Sequence, residues 1–427
     1  MSTHGAHPQL SPDRDLPKPD AARGDAREQS ESHAAPHPDG AAVSIGRPLS
    51  APADTLETVG EVEALKRIFP RLPAAAAELL GPGDDAAVIA APDARFVVTT
   101  DMMIHGPDFR LAWSTPHDLG WKAAVTNLAD VAAMGATPSA LVVAIAAPLT
   151  TPVATLEGIA DGLRDACAAL APGTGVVGGD LSVSNTLTIA VTAFGDLDGR
   201  QPVVRSGARP GDVVAVAGDL GRAGAGIWLL FDQATSPAGS SESDASQPGS
   251  SEADSSEADS SEAGSSRGAA RQPDAERGRA VRNQHGALID AQLAPTSPLA
   301  AGVAAAEAGA TAMLDVSDGL VLDAGRIATA SGCSIDFSHA AIEAEATALR
   351  ALDGVVGAQA RDFVLCGGED HALLATFSPE QVLPPLFRPI GIVMQRVAGH
   401  PAVTVGGEAY VKPGGWDPFN DWNGGVG

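Results

Sequence analysis

Lysine is scarce in this chain: the 427 residues contain four, Lys18, Lys66, Lys122 and Lys412. Cysteine is nearly as rare. Cys167, Cys333 and Cys366 are far apart, odd in number and in no CxxC spacing, which excludes a disulfide framework and a thiolate zinc site. Aromatic residues make up 4% and there is a single tyrosine, yet 44% of residues are hydrophobic, enough for a sizeable core. No apolar run is long enough to span a bilayer, and the polar start lacks the apolar stretch of a signal peptide. A cytoplasmic protein without a membrane partner is the expectation. Positive charge is also short. The formal net charge is -26, and -18 remains once residues 1–55 (net -3) and 232–285 (net -5) are set aside, which excludes nucleic acid as a natural partner.

Those two segments are poor in branched apolar and aromatic residues. Residues 1–55 read as a disordered tail. Residues 232–285 include SSEADSSEADSSEAGSS and read as a disordered surface insertion of low complexity. The rest alternates α and β patterns, and predicts two halves, 56–198 and 199–427. Strands are expected at 95–101, 139–148 and 312–320. Helices are expected at 116–136, 152–170 and 319–332. The first of these has Thr115 as N-cap, Pro116 at its first position and Asp118 completing a capping box; the last stops at Gly332. FVLCGGEDHALLATF reads as a turn feeding a strand.

What recurs is an acid beside glycine or at the end of an apolar run: GPGDDAAV, VVTTD, NLAD, VVGGD, LDVSDGL and CGGED. Any one of these is most simply a Gly–Asp turn. Six of them in a chain so short of lysine point instead to carboxylates gathered around divalent cations, since converging carboxylates otherwise repel one another. Oxygen donors without paired His or Cys favour magnesium over zinc. No GxxxxGK[ST] and no GxGxxG opening a helix is present, so a P-loop is excluded. GDLGRAGAG at 218–226 and RSGARPGD at 205–212 are weak phosphate-binding candidates, each equally well explained by a turn or a surface arginine.

Taken in order, GPGDDAAV, TTDMMIHGPDFR, KAAVTNLADVAAMGA, VGGD, RSGARPGD, LDVSDGL, CGGEDHALL and GWDPF resemble the thiamine-monophosphate kinases, within the superfamily of aminoimidazole ribonucleotide synthetase and selenophosphate synthetase. The resemblance covers about 58–231 and 286–419. It implies an α/β (α+β) synthetase-like fold of two domains. In the N-terminal one the strands form a dimeric β-barrel with helices outside; the C-terminal one is α/β. It also implies ATP-dependent phosphorylation of thiamine monophosphate by a homodimer. Carried over by position, Asp85, Thr99, Thr100, Asp101, Asp130, Asp180 and Asp315 would hold several Mg2+ ions on the ATP phosphates, and Asp318 a further one, with Asp130 and Asp315 central to catalysis. Gly179, Asp180, Arg205 and Ser317 would contact ATP. Glu369, Trp416 and the residue at 108 would contact the substrate. The family usually has histidine at that last position; this chain has Asp108, with His105 three residues earlier. A selenophosphate synthetase would need a reactive cysteine early in the domain, and none precedes Cys167. An aminoimidazole ribonucleotide synthetase, or a non-catalytic nucleotide-binding scaffold, is the alternative reading.

Overall fold

Strict alternation along Thr188–Asp196 buries Ile189, Val191, Ala193 and Gly195 and turns the residues between them outward. This strand lies inside an open four-stranded sheet, in a computed structural model that describes residues 54–81, 87–237, 271–410 and 412. The sheet order is Val97–Ile104, Thr188–Asp196, Thr137–Ala147, Gly175–Val183. The first three strands are antiparallel and the last pair is parallel. Two helices, Pro116–Ala133 and Val153–Leu170, belong to the same core as the buried face of the sheet. Their backbones approach closely because glycine stands at the crossing. A Cβ on Gly120 would lie 1.9 Å from the Ile159 carbonyl oxygen, and one on Gly162 would lie 2.1 Å from that of His117. The Pro116–Ala133 helix begins as its sequence requires: Thr115 and Asp118 form a reciprocal capping box and Pro116 occupies the first turn. On the opposite face of the sheet Val98 and Met102 remain 59% and 58% exposed.

A second, seven-stranded sheet follows in the order Ala312–Val316, Ala372–Phe377, Val213–Ala217, Arg388–Gln395, Cys333–Phe337, Val403–Val405, Glu408–Ala409. Its first five strands pair antiparallel with one another, and Cys333–Phe337 runs parallel to Val403–Val405. Helices Arg222–Gln233, Leu320–Ser331, His339–Leu352 and Ala360–Cys366 share a core with one face through Val214, Val216, Leu314 and Phe337. The other face contributes Met313, Leu373, Ala375 and Phe377 to the core that holds Leu128 and Val131 of the first half. One layer of apolar side chains therefore fixes the Ala312–Val316 strand beside the Pro116–Ala133 helix, and the site lies at the end of this seam.

Several expectations need correction. Among the described residues the N-terminal sheet of one chain is open with two free edges, so one chain alone does not close the expected dimeric barrel. The insertion expected over 232–285 is too wide. Thr235–Pro237 pairs with Arg271–Pro273, and Ala275–Gln284 is a helix capped by the Asp274 carboxylate. That helix is polar nearly all round, so its composition resembles a linker. It is held by Gly278 against Trp113 and by Arg282 bonded to both oxygens of Asp118, at 2.7 and 3.1 Å. The start of FVLCGGED is the end of the Ala360–Cys366 helix, not a turn. Residues 1–53 and 238–270 lie outside the described residues, and the tail and most of the insertion fall there. Among the described residues no helix is long and apolar enough to cross a membrane, and all three cysteines are free.

Candidate active site

The period of two along Val97–Ile104 sends Thr99 and Asp101 toward the helix layer and Thr100 to the opposite face. Thr99 donates its hydroxyl to Asp130 Oδ2 at 2.8 Å. The Asp101 backbone N–H donates to Asn127 Oδ1 at 3.1 Å, and Asn127 is itself pinned by donating Nδ2 to the Ala123 carbonyl. Lys122, Thr126 and Asp130 are spaced i, i+4, i+8 and so share one face of the Pro116–Ala133 helix. From the other half, Asp315 on the Ala312–Val316 strand enters the same space, 5% exposed. Asp130, Asp315, Thr99 and Arg205 line one cavity of about 730 Å³.

The three acids act on one another. Burial, followed by the charges of Asp315 and Asp101, pushes the Asp130 carboxyl up to about 7. Asp101 is raised as well, by burial and then by Asp315. His371, 1% exposed, places Nδ1 3.2 Å from Asp315 Oδ2 and Nε2 3.4 Å from Thr126 Oγ1, linking the two halves. Burial alone would lower its pKa, but the Asp315 carboxylate together with the Glu369 charge more than reverses this.

The GGED turn divides its acids. Glu369 pairs with the Lys122 ammonium at 2.8 Å, and Lys122 also donates to the Gln292 carbonyl. Burial would raise Glu369; the lysine holds it below the usual range, while 42% of its side chain stays open. Asp370 instead accepts from the Gly221 and Ala223 amides and caps the Arg222–Gln233 helix. The turn is strained, with φ of +70° at Glu369 and +50° at His371. The glycines of GDLGRAGAG have a packing explanation here: a Cβ on Gly224 would lie 2.5 Å from Gly367 Cα, and one on Gly221 2.6 Å from the Phe363 carbonyl carbon.

The remaining expected residues are dispersed. Thr100 donates to the Val191 carbonyl and accepts from Thr192, so its hydroxyl is used on the far face. Asp318 is bonded to Arg326 at 2.5 Å. Asp180 lies on the edge strand with its carboxylate accepting from Ser182, three strand spacings, or ~14 Å, from Val97–Ile104. Gly179 and Asp180 line a separate cavity of about 600 Å³ walled by Leu65, Phe69, Val142 and Leu181. Ser317, Asp108 and Glu369 meet at a third cavity of about 540 Å³, with Arg110, Trp228, Phe231 and Phe363. Asp85 and Trp416 lie outside the described residues. Among the described residues no three His, Cys, Asp or Glu side chains are gathered to hold one ion. Lys122, Asn127, His371, Arg110 and Trp228 are additions that motif reading missed. Helical spacing from Asp130 back to Lys122 was the available signal for the first two.

Residues 83–197 match the family described as AIR synthase related protein, N-terminal domain. A thiamine-monophosphate kinase from Mycobacterium tuberculosis (strain CDC 1551 / Oshkosh) is 39% identical over 373 residues, spanning 87% of this chain and 96% of that protein. The chain belongs to the thiamine-monophosphate kinase family. Solved structures of the family agree with this. That from Stenotrophomonas maltophilia K279a superposes with a TM-score of 0.59 at 27% identity, covering 81% of this chain and 97% of the other. AaThiL complexed with AMPPCP and TMP gives 0.57 at 28%, covering 78% and 90%. Within this kinase family, the acids that line this chain's seam cavity are Asp130 and Asp315, with Asp101 in electrostatic reach of both.

Proposed function

We propose that the protein transfers the terminal phosphoryl group of ATP to the phosphate of thiamine monophosphate, releasing ADP and thiamine diphosphate. The observation that carries this reading is the seam itself. Asp130 from one half and Asp315 from the other face one open cavity, with Asp101 close enough to act electrostatically on both, and a further cavity has an aromatic wall. For Asp101 and Asp130, burial and mutual repulsion outweigh the relief that His371 supplies. The donors are all oxygen, and magnesium commonly uses one or two protein carboxylates, with waters and substrate phosphates completing its shell. A preassembled cage of three ligands is therefore not required, and the residues fit Mg2+. Asp101, Asp130, Asp315 and the Thr99 hydroxyl would hold it, with Asp85, Asp180 and Asp318 in the set implied by family resemblance. Bound magnesium would supply charge neutralisation between two anionic reactants.

The chain's own groups do the rest. Phosphoryl transfer depends mainly on positioning and electrostatics. The acceptor phosphate is already anionic, so a general base is not needed and direct in-line transfer suffices. His371 and Asn127 hold Asp315 and the Asp101 backbone in place. Gly179, Asp180, Arg205 and Ser317 are assigned to ATP, and Asp108, Glu369 and Trp416 to the substrate. Trp228 and Phe363, with ring centroids 5.5 Å apart, form a surface suited to a thiazolium cation; such cation–π contacts contribute about 0.5–2 kcal/mol. A homodimer accords with the exposed apolar face and free edges of the four-stranded sheet, and use of ATP accords with the expected cytoplasmic placement. The test offers purified full-length protein Mg-ATP with thiamine monophosphate or with formylglycinamidine ribonucleotide. Turnover of the first alone is expected; turnover of the second alone would transfer the reading to the synthetase branch.

A further inference from the structure

The cavity that holds Asp108 and Glu369 is lined by four charged side chains that differ in one respect. Glu369 pairs with Lys122 at 2.8 Å, and Asp362 pairs with Lys412 at 2.6 Å. Asp108 spends an oxygen on the Ile104 backbone N–H at 2.7 Å. Arg110 is the exception. It is 8% exposed, and its guanidinium makes no hydrogen bond or ion pair among the described residues, with Nε buried and unpartnered. Aromatic rings hold it instead: its Cζ lies 4.4 Å from the Phe231 ring centroid and 5.2 Å from that of Trp113. Those two rings stand edge to face at 5.2 Å, and Trp113 is anchored by donating to the Ala234 carbonyl. Ring faces orient a guanidinium but supply no acceptor for its N–H groups. Burial also pulls its pKa down, with only partial relief from Asp108, as for a cation lacking a counter-ion. A buried cation left unpaired is costly, and in a chain this acidic a pre-oriented arginine fork facing a cavity is a receptor for an anion.

We infer that Arg110 is the specificity residue that takes the phosphate monoester of the acceptor substrate. This rests on the kinase reading. Asp108 closes its own loop, and Arg110 two residues later supplies the positive charge that an aspartate cannot. Glu369 and the aromatic wall are left to the organic cation.

The test compares binding of thiamine monophosphate and of thiamine, which lacks the phosphate, to wild-type protein, Arg110→Lys and Arg110→Met. Arg110→Met should weaken thiamine monophosphate about 10–100-fold, the range for hydrogen bonds to a charged group, and leave thiamine within about threefold. Arg110→Lys should restore part of the loss. The KM for ATP and the melting temperature report whether the variants fold. Equal weakening of both ligands, or no change in either, overturns the proposal. Should the wild-type protein not turn over thiamine monophosphate, the kinase reading fails by itself. Binding of inorganic phosphate then decides on Arg110 separately: retained in Arg110→Met, it overturns the assignment; abolished there and present in wild type, it supports it.

Discussion

Asp130→Asn should make the metal-free protein more stable while disabling it. The Asp130 carboxyl titrates at about 7 in the folded chain against 3.8 when unperturbed. Below pH 3.8 both folded and unfolded states are protonated and the shift has no effect. Between 3.8 and 7 the unfolded chain has released a proton that the folded one retains, so folding loses stability as pH rises, with the full penalty present above pH 7. A shift of about three units at 1.36 kcal/mol each corresponds to ~4 kcal/mol. Part of that repulsion belongs to Asp101 and Asp315. The asparagine keeps the Thr99 bond through its oxygen but buries an amide that needs a partner, at about 1 kcal/mol. The net gain expected at pH 8 is therefore ~1–3 kcal/mol, a rise in melting temperature of about 2–6 °C. Melts in chelator at pH 8 and pH 4 measure this; the gain should vanish at pH 4. In excess Mg2+ the order should reverse, because the wild type gains by ligation what the variant cannot. A lower melting point for the variant at pH 8 in chelator, or a difference independent of pH, would refute the reasoning.

Asp315→Asn should lower kcat by at least about 10²-fold with an unchanged circular dichroism spectrum; near-full turnover would remove Asp315 from the machinery. Gly179→Ala should destabilise by about 1–3 kcal/mol or more, because its Cβ would sit 1.9 Å from the Val143 carbonyl oxygen. Gly178→Ala, with no atom within 4 Å of its added Cβ, should melt close to wild type, and parity of the two variants would contradict the packing argument. Met102→Asp, on the exposed sheet face, should convert a particle of twice the 42.8 kDa chain mass into monomer by light scattering; a persisting dimer would place the interface elsewhere.

Local rules read from the chain worked where one element satisfies them unaided. Thr115, Pro116 and Asp118 begin the helix they predict, and Gly332 ends the Leu320–Ser331 helix in a left-handed conformation with φ +66°. They were insufficient where packing between distant segments decides. The Ala275–Gln284 helix owes its place to Trp113 and Asp118, far away in sequence. Reading Thr99, Thr100 and Asp101 as one ligand run overlooked strand alternation, which turns the middle hydroxyl to the other face. The acids of the seam were visible in their motifs, but the groups that hold them were not. His371 looks like part of a strand until its ring is seen between Asp315 and Thr126. Arg110 looks like a surface arginine until two aromatic rings, one of them more than a hundred residues later, are found on it.

The most direct test of the account is the stoichiometry of transfer. The full-length protein, given ATP and thiamine monophosphate, should form ADP and thiamine diphosphate one for one with Mg2+ and neither with chelator. Release of ADP and inorganic phosphate without thiamine diphosphate, or transfer undiminished in chelator, would contradict it.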